Sequence, residues 1–415
     1  MDHGIIFIIL ACLVGLWMTW GIGANDLANI MSTAMGSKAI TVHQAIWIAV
    51  IFEIAGAFLG GNHVTDTIRS GIINVDALHD LHLLIYSMLS VLFAGAIWIT
   101  FASYLGMPVS ITNAIIGALV GVGAITLGLH AIHWQTVGYI AISWISSPAI
   151  AGVIAFLLFS AIKRSILGVD NPLHASKIYI PIYLFFVSVV LAMMTTLKAA
   201  DHFHLVASGW LRLLMVIGTI ILVFSLGMML IYRIHRSARL NRHTQFVYIE
   251  AMFSVLMAFT ACAMVFAHGS NDVAIAVGPI VSIVSIVWAD NTMFDGGLLA
   301  GIVLFGCVGI LLGLFMYGRK VIETVGSEIT ILTPSRAFAA TLAAAGAVVV
   351  STSTGIPVSA TQTLVGAVFG VGLARGIDAL NLSVMRNIFL SWIVTIPASA
   401  GLATLIFYGL KAGFG

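Results

Sequence analysis

Charge is the scarcest thing in this chain. Its 17 Lys and Arg and 15 Asp and Glu make up only 8% of 415 residues, against about 25% in water-soluble domains. So few charges could not cover a surface in contact with water, and 61% of the residues are apolar. Cysteine is nearly missing as well. Cys12, Cys262 and Cys307 lie in apolar segments without Cys-x-x-Cys spacing, which argues against a disulfide framework and a zinc site. No hydrophilic stretch is long enough to form a separate soluble domain. The net charge of +2 says little about partners, because at a membrane the placement of charge outweighs its sum. The first apolar run lacks a basic leader and continues straight into a polar motif, so it does not read as a removable signal peptide.

What is present instead is a series of apolar runs reaching the roughly 20 residues a helix needs to cross a bilayer. The chain reads as an all-α polytopic membrane protein, and it repeats itself. "GIGANDLAN" (Gly21–Asn29) returns as "AHGSNDVAI" (Ala267–Ile275), and "IFEIAGAFLG" (Ile51–Gly60) as "LFGCVGILLG" (Leu304–Gly313). "VTDTIRSGI" (Val64–Ile72) is echoed by "VIETVGSEI" (Val321–Ile329). "GMPVSITNAIIGALVGVG" (Gly106–Gly123) returns as "GIPVSATQTLVGAVFGVG" (Gly355–Gly372), and "SWISSPAIAG" (Ser143–Gly152) as "SWIVTIPASAG" (Ser391–Gly401). These matches keep one order and near-equal spacing. The expected organisation is a first transmembrane repeat at 1–162, a two-span insert with basic loops at 163–244, and a second repeat at 245–415.

Twelve spans are expected. In the first repeat they are Gly4–Met35, Thr41–Gly60, Leu81–Leu105, Pro108–Leu127 and Thr136–Ile162. The insert supplies Tyr179–Leu197 and Trp210–Tyr232. The second repeat supplies Phe246–Val287, Gly296–Tyr317, Ala337–Ser353, Pro357–Ala374 and Val384–Leu410. With both termini outside, the inner segments collect Lys38, Lys163, Arg164, Lys177, Arg233, Arg236, Arg239, Arg242, Arg319, Lys320, Arg336, Arg375 and Arg386. The outer segments collect Asp66, Asp76, Asp80, Asp201, Asp290 and Asp295, with Arg69, Lys198 and Arg212 as exceptions. That asymmetry follows the positive-inside rule. Five spans per repeat then give the two repeats opposite orientations, an arrangement typical of secondary transporters with a site at the repeat interface. The first span of each repeat is too long, about 45 Å of helix against a core near 30 Å. It is expected to break at Gly21 and Gly23, and at Gly269 in the second repeat.

Four polar clusters interrupt the apolar runs: Asn25–Asp26, Ser110–Thr112–Asn113, Asn271–Asp272 and Ser359–Thr361–Gln362. Each follows a glycine or Gly-x-Pro at the start of a helical run. Free amides and a positive dipole end are expected there, with hydroxyl donors beside them, which makes a cage for a small oxyanion. No Lys or Arg lies in any cluster, yet Asp26 and Asp272 reach the same region. Unpaired negative charge at that depth is costly. Cations, either metal ions or protons on the carboxylates, are therefore expected to enter with the anion, and symport follows. "GIGANDLAN" is no nucleotide fingerprint, since the GxGxxG spacing fails and no strand precedes it.

At these motifs the sequence resembles the PiT family of inorganic phosphate transporters. The family's Gly-Ala-Asn-Asp signature matches "GANDLAN" and "GSNDVAI", and its Gly-x-Pro-Val-Ser-x-Thr segments match Gly106–Thr112 and Gly355–Thr361. The resemblance covers essentially the whole chain. It implies a multi-pass protein of the cell's inner membrane that carries phosphate in symport with sodium or protons. Asp26, Asn29 and Asp272 would serve the cation, and the Ser/Thr pairs with Asn25 and Asn271 the phosphate. If sodium is the coupling ion, Asp26 and Asp272 would be its metal ligands. Asn113 and Gln362 stand where the family often has His, and Ile275 where the second signature often has Asn. Neither a resident cofactor nor an enzymatic reaction is expected.

Glu53, in the middle of an apolar span, is read as paired, protonated or a relay for protons or cations. His268 is left between a capping or packing role and a function. Asp66, Thr67 and Glu323 are read as solvated loop residues, and Gly121, Gly123, Gly370 and Gly372 as sites of close helix packing. The Arg233–Arg242 run sets topology or meets anionic lipid. Alternatives that stay open are sulfate or a metal–phosphate complex as cargo, and a homo-oligomeric assembly. Two further readings from other classes are a passive anion channel and an intramembrane hydrolase with Asp26 and Asp272 as a dyad.

Overall fold

The computed structural model describes residues 4–60, 67, 71–73, 80–199, 209–234, 242–288, 296–352 and 357–414. Asp66, Asp76, Arg69, Asp201, Arg236, Arg239, Asp290, Asp295 and Gly355 lie outside the described residues.

The first repeat contains α1 (Gly4–Gly36), α2 (Val42–Gly60), α3 (Leu81–Leu105), α4 (Ile111–Thr126) and α5 (Trp134–Ile162). The insert contains α6 (Pro172–Ala192) and α7 (Gly209–Ile234). In the second repeat, α8 runs from Arg242–His268 through Gly269–Val273 into Ala274–Val287. It is followed by α9 (Gly296–Tyr317), α10 (Pro334–Thr352), α11 (Ala360–Arg375) and α12 (Leu382–Phe414). Many outward residues are apolar, Ile145 and Trp210 being 76% and 75% exposed, as expected where the neighbouring solvent is hydrocarbon.

Ten helices among the described residues are long and apolar enough to cross a membrane, and the expected count of twelve spans rests on two further, shorter helices. The two others, α4 and α11, have 16 residues each, about 24 Å at the helical rise, short of a core near 30 Å. Residues 107–110 and 357–359, just before them, have no regular secondary structure, and Ser110 and Ser359 themselves are extended. Ahead of α4 the chain turns at Gly106, whose φ of +70° is a left-handed conformation that favours glycine.

The long first spans do not break. Gly23–Leu27 and Gly269–Val273 form single π-helical turns inside otherwise continuous α1 and α8, with helical dihedrals on both sides. Such a turn adds a residue without ending the helix, and it commonly marks a functional site. The glycines serve close approach. A Cβ on Gly23 would overlap the Ile310 carbonyl of α9, and one on Gly269 would overlap the Glu53 carbonyl of α2. Each widened turn thus packs against the second helix of the other repeat. The same exchange recurs in the short helices, with α11 lying along α5 and α4 along α12. Gly370 and Gly121 sit at those crossings, against Gly152 and Ala400.

Candidate functional site

Ser110 and Ser359 begin the two short helices in the same way. Both have extended backbone, with φ of −101° and −85°. Each hydroxyl accepts an amide three residues on, from Asn113 at 3.2 Å and from Gln362 at 3.1 Å. This is the N-cap bond. The amides of the first turn ahead of it are the donors that a helix start offers to an anion. Ser110 also donates to Asn113 Oδ1 at 3.0 Å, so the first cap is reciprocal.

The four clusters meet. Thr361 Oγ1 donates to Asp26 Oδ1, and Asn29 Nδ2 reaches the Thr361 carbonyl at 3.5 Å. The Val358 carbonyl accepts from Asn271 Nδ2 at 2.7 Å and from Thr112 Oγ1 at 3.4 Å. One carbonyl therefore ties the Asn-Asp motif of the second repeat to the short helix of the first. Every one of these side chains is at most 4% exposed.

Asn25 spends its amide on the backbone. Its Nδ2 donates to the Met107 carbonyl at 2.9 Å and to Ser103 Oγ at 3.3 Å, while its Oδ1 accepts the Val109 amide at 3.0 Å. It clamps the segment ahead of α4. Both of its donors are used in doing so. The expectation of free amides at all four clusters is corrected here. Asn25 and Asn271 sit within continuous helix, so only Ser110 and Ser359 begin one.

Glu53 and His268 form a unit that spacing alone did not reveal. His268 Nδ1 lies 2.7 Å from Glu53 Oε1. Its Nε2 lies 3.1 Å from Asp272 Oδ2, off the line of a hydrogen bond. All three side chains are at most 2% exposed. The clue in the sequence was a lone mid-span carboxylate in one repeat and a lone histidine beside the motif of the other. Nothing local says that they touch.

Several oxygens in this region are buried and lack a hydrogen-bond partner: Asp26 Oδ2, Asn29 Oδ1, Glu53 Oε2 and Asn271 Oδ1. Buried acceptors are rarely left this way unless an ion or water completes them. Asp26, Asp272 and Glu53 bring three carboxyl groups to the region of one imidazole. Among the described residues no group of three His, Cys, Asp or Glu side chains forms a metal cluster. Carboxylate with amide and backbone oxygens is the donor set that suits a hard cation. Glu323, read as a solvated loop residue, is 55% exposed but ends the short helix Arg319–Glu323 and pairs with Arg319 at 2.8 Å.

Helices long and apolar enough to cross a membrane, packed around two short helix starts and unpartnered buried oxygens, define a multi-pass membrane protein with a polar interior. Residues 22–403 match the model of the Phosphate transporter family, and the chain belongs to that family, whose members are transporters and not enzymes. A Haemophilus influenzae protein named as a candidate phosphate permease is 45% identical over 420 residues, covering 100% of this chain and 99% of that protein. The Arabidopsis thaliana chloroplastic inorganic phosphate transporter 2-1 is 37% identical over 416 residues, covering 95% of this chain and 70% of that one. A solved structure of a sodium-dependent phosphate transporter superposes with a TM-score of 0.83 at 35% identity, covering 98% of this chain and 99% of the other.

Proposed function

We propose that the protein carries inorganic phosphate across the membrane in symport with a cation, sodium in the first instance. The observation that carries this reading is the set of unpartnered buried oxygens, Asp26 Oδ2, Asn29 Oδ1 and Asn271 Oδ1, beside two capped helix starts. The helix starts supply amides to the anion, and the Thr112 and Thr361 hydroxyls, which donate to the Val358 carbonyl and to Asp26 here, turn to it when it enters. The unpartnered oxygens supply ligands to the cation, with Asp26 and Asp272 as its charged ligands. Neither charge is stable alone in a dry site, so the two enter together. Thr361 links the sides, since its hydroxyl meets Asp26 and its amide belongs to the first turn of α11. Ser110, Asn113, Ser359 and Gln362 shape the helix starts, while Asn25 holds the segment ahead of α4. Glu53 and His268 set the charge beside Asp272.

Sodium is chosen over protons because the structural relative is sodium-dependent by name and because amide oxygens can ligate a metal ion but do not titrate near neutral pH. The two repeats, 1–162 and 245–415, are taken as inverted, with both termini outside and the protein in the cell's inner membrane. The test is uptake of labelled phosphate into proteoliposomes under an imposed sodium gradient, compared with an imposed pH gradient, with sulfate as competitor. Accumulation driven by sodium and resistant to sulfate is expected. Equal accumulation with every ion gradient collapsed would leave a channel. Accumulation driven only by pH would move the coupling to protons.

A further inference from the structure

Between α5, α11 and α12 lies a cavity of about 830 Å³, within the range of small-molecule sites. At its rim Ile145, Val153 and Ile393 are 76%, 60% and 68% exposed. These residues lie on membrane spans, so the cavity opens sideways to lipid. No charged residue lines it. Apart from Asn113 and Gln362, which it shares with the helix-start clusters, and the two tryptophan indoles, its lining is apolar, which suits a hydrocarbon chain better than an ion.

Two pairs of residues related by the repeat meet around it: Asn113 with Gln362, and Trp144 with Trp392. Within each pair the partners differ. Trp392 Nε1 donates to the Pro108 carbonyl at 3.2 Å, whereas the buried Trp144 Nε1 has no partner. Asn113 Oδ1 accepts from Ser110 at 3.0 Å, whereas Gln362 Oε1 has no partner although the residue is 2% exposed. An apolar cavity beside bilayer hydrocarbon does not hold water, which needs two to four polar contacts. The unpaired N–H and carbonyl oxygen remain costly until an acceptor and a donor arrive. A hydroxyl group supplies both.

We propose that this cavity binds a neutral single-chain lipid with a hydroxyl head group, which enters from the bilayer. Its chain lies along Phe156 and Phe369, and its hydroxyl meets Trp144 and Gln362. The binding does not depend on what the protein transports.

The experiment uses the full chain in proteoliposomes with a diazirine-bearing octadecanol, adducts being mapped by mass spectrometry. Adducts are expected to concentrate on the cavity residues. Excess 1-octadecanol should compete about tenfold better than octadecane, the effect of two neutral hydrogen bonds. Trp144→Phe should reduce that preference, and Ala149→Trp should lower labelling by filling the rim. Equal competition by alcohol and alkane in the wild-type protein would overturn the proposal, as would adducts spread evenly over the lipid-facing sides of α5 and α12. Labelling that falls as the protein-to-lipid ratio rises would give the cavity to a second copy of the chain and also overturn it. The wild-type competition decides the matter even if a variant fails to fold.

Discussion

Thr361 and Asp26 lie 335 positions apart, yet the threonine hydroxyl donates to the aspartate in the buried centre of the molecule. The first helix of one repeat is thereby joined to a short helix of the other. In the proposed mechanism this side chain meets the cation's carboxylate and also stands in the turn offered to the anion. Movement of either charge would then be felt by the other through one hydroxyl.

Removing the charge at Asp26 is the most direct test. Asp26→Asn keeps the shape and a donor-acceptor head, so folding should survive, with thermal unfolding in detergent within a few degrees of wild type. Gradient-driven uptake should vanish. Asp26→Glu should also fail, because one added methylene displaces the oxygens from a coordinated ion. Near-normal accumulation in the Asn variant would remove Asp26 from the coupling mechanism.

The hydroxyls should act on affinity. Thr361→Ala removes the hydroxyl that would bond the bound anion; a hydrogen bond to a charged group is worth about 1.5–3 kcal/mol, or roughly a tenfold to hundredfold rise in the KM for phosphate. Thr112→Ala should raise KM as well, since its hydroxyl, held only by a long 3.4 Å bond to the Val358 carbonyl, is free to turn to the anion. Thr361→Ser should restore most of the affinity. Initial-rate uptake over a phosphate series checks this, and unchanged KM in both Ala variants would count against the cage.

Close approach at the π turns makes two glycines intolerant. Gly23→Ala and Gly269→Ala each place a methyl group on a backbone carbonyl of the neighbouring helix, which cannot swing aside. Each should cost at least the 1–3 kcal/mol of an overpacked core and be seen as loss of folded protein on size exclusion. Gly138→Ala, with nothing within 4 Å of the new carbon, is the control and should be harmless.

Glu53 and His268 should behave as a coupled pair. Deleting one partner of a buried ion pair strands the other and costs about 3–5 kcal/mol, while removing both costs less than the sum. Glu53→Gln, His268→Gln and the double variant, followed by thermal unfolding, form the cycle. Additive losses would show that the 2.7 Å contact carries no energy.

Part of this protein could be read directly from its amino acids. The scarcity of charge and the apolar runs made it a membrane protein, because hydrocarbon tolerates little else. The duplicated Asn-Asp and Gly-x-Pro-Val-Ser segments named the polar residues that meet, and the N-caps at Ser110 and Ser359 followed from local chemistry. These are properties of neighbouring residues, and a linear chain records them. Packing decided the rest. The widened turn in place of a break, the commitment of Asn25 to the segment ahead of α4, the seat of His268 between Glu53 and Asp272, and the choice of Thr361 as partner to Asp26 all depend on which helices touch. Each joins residues tens to hundreds of positions apart. Such contacts are set by how helix surfaces fit together, and no local pattern in the sequence encodes that fit.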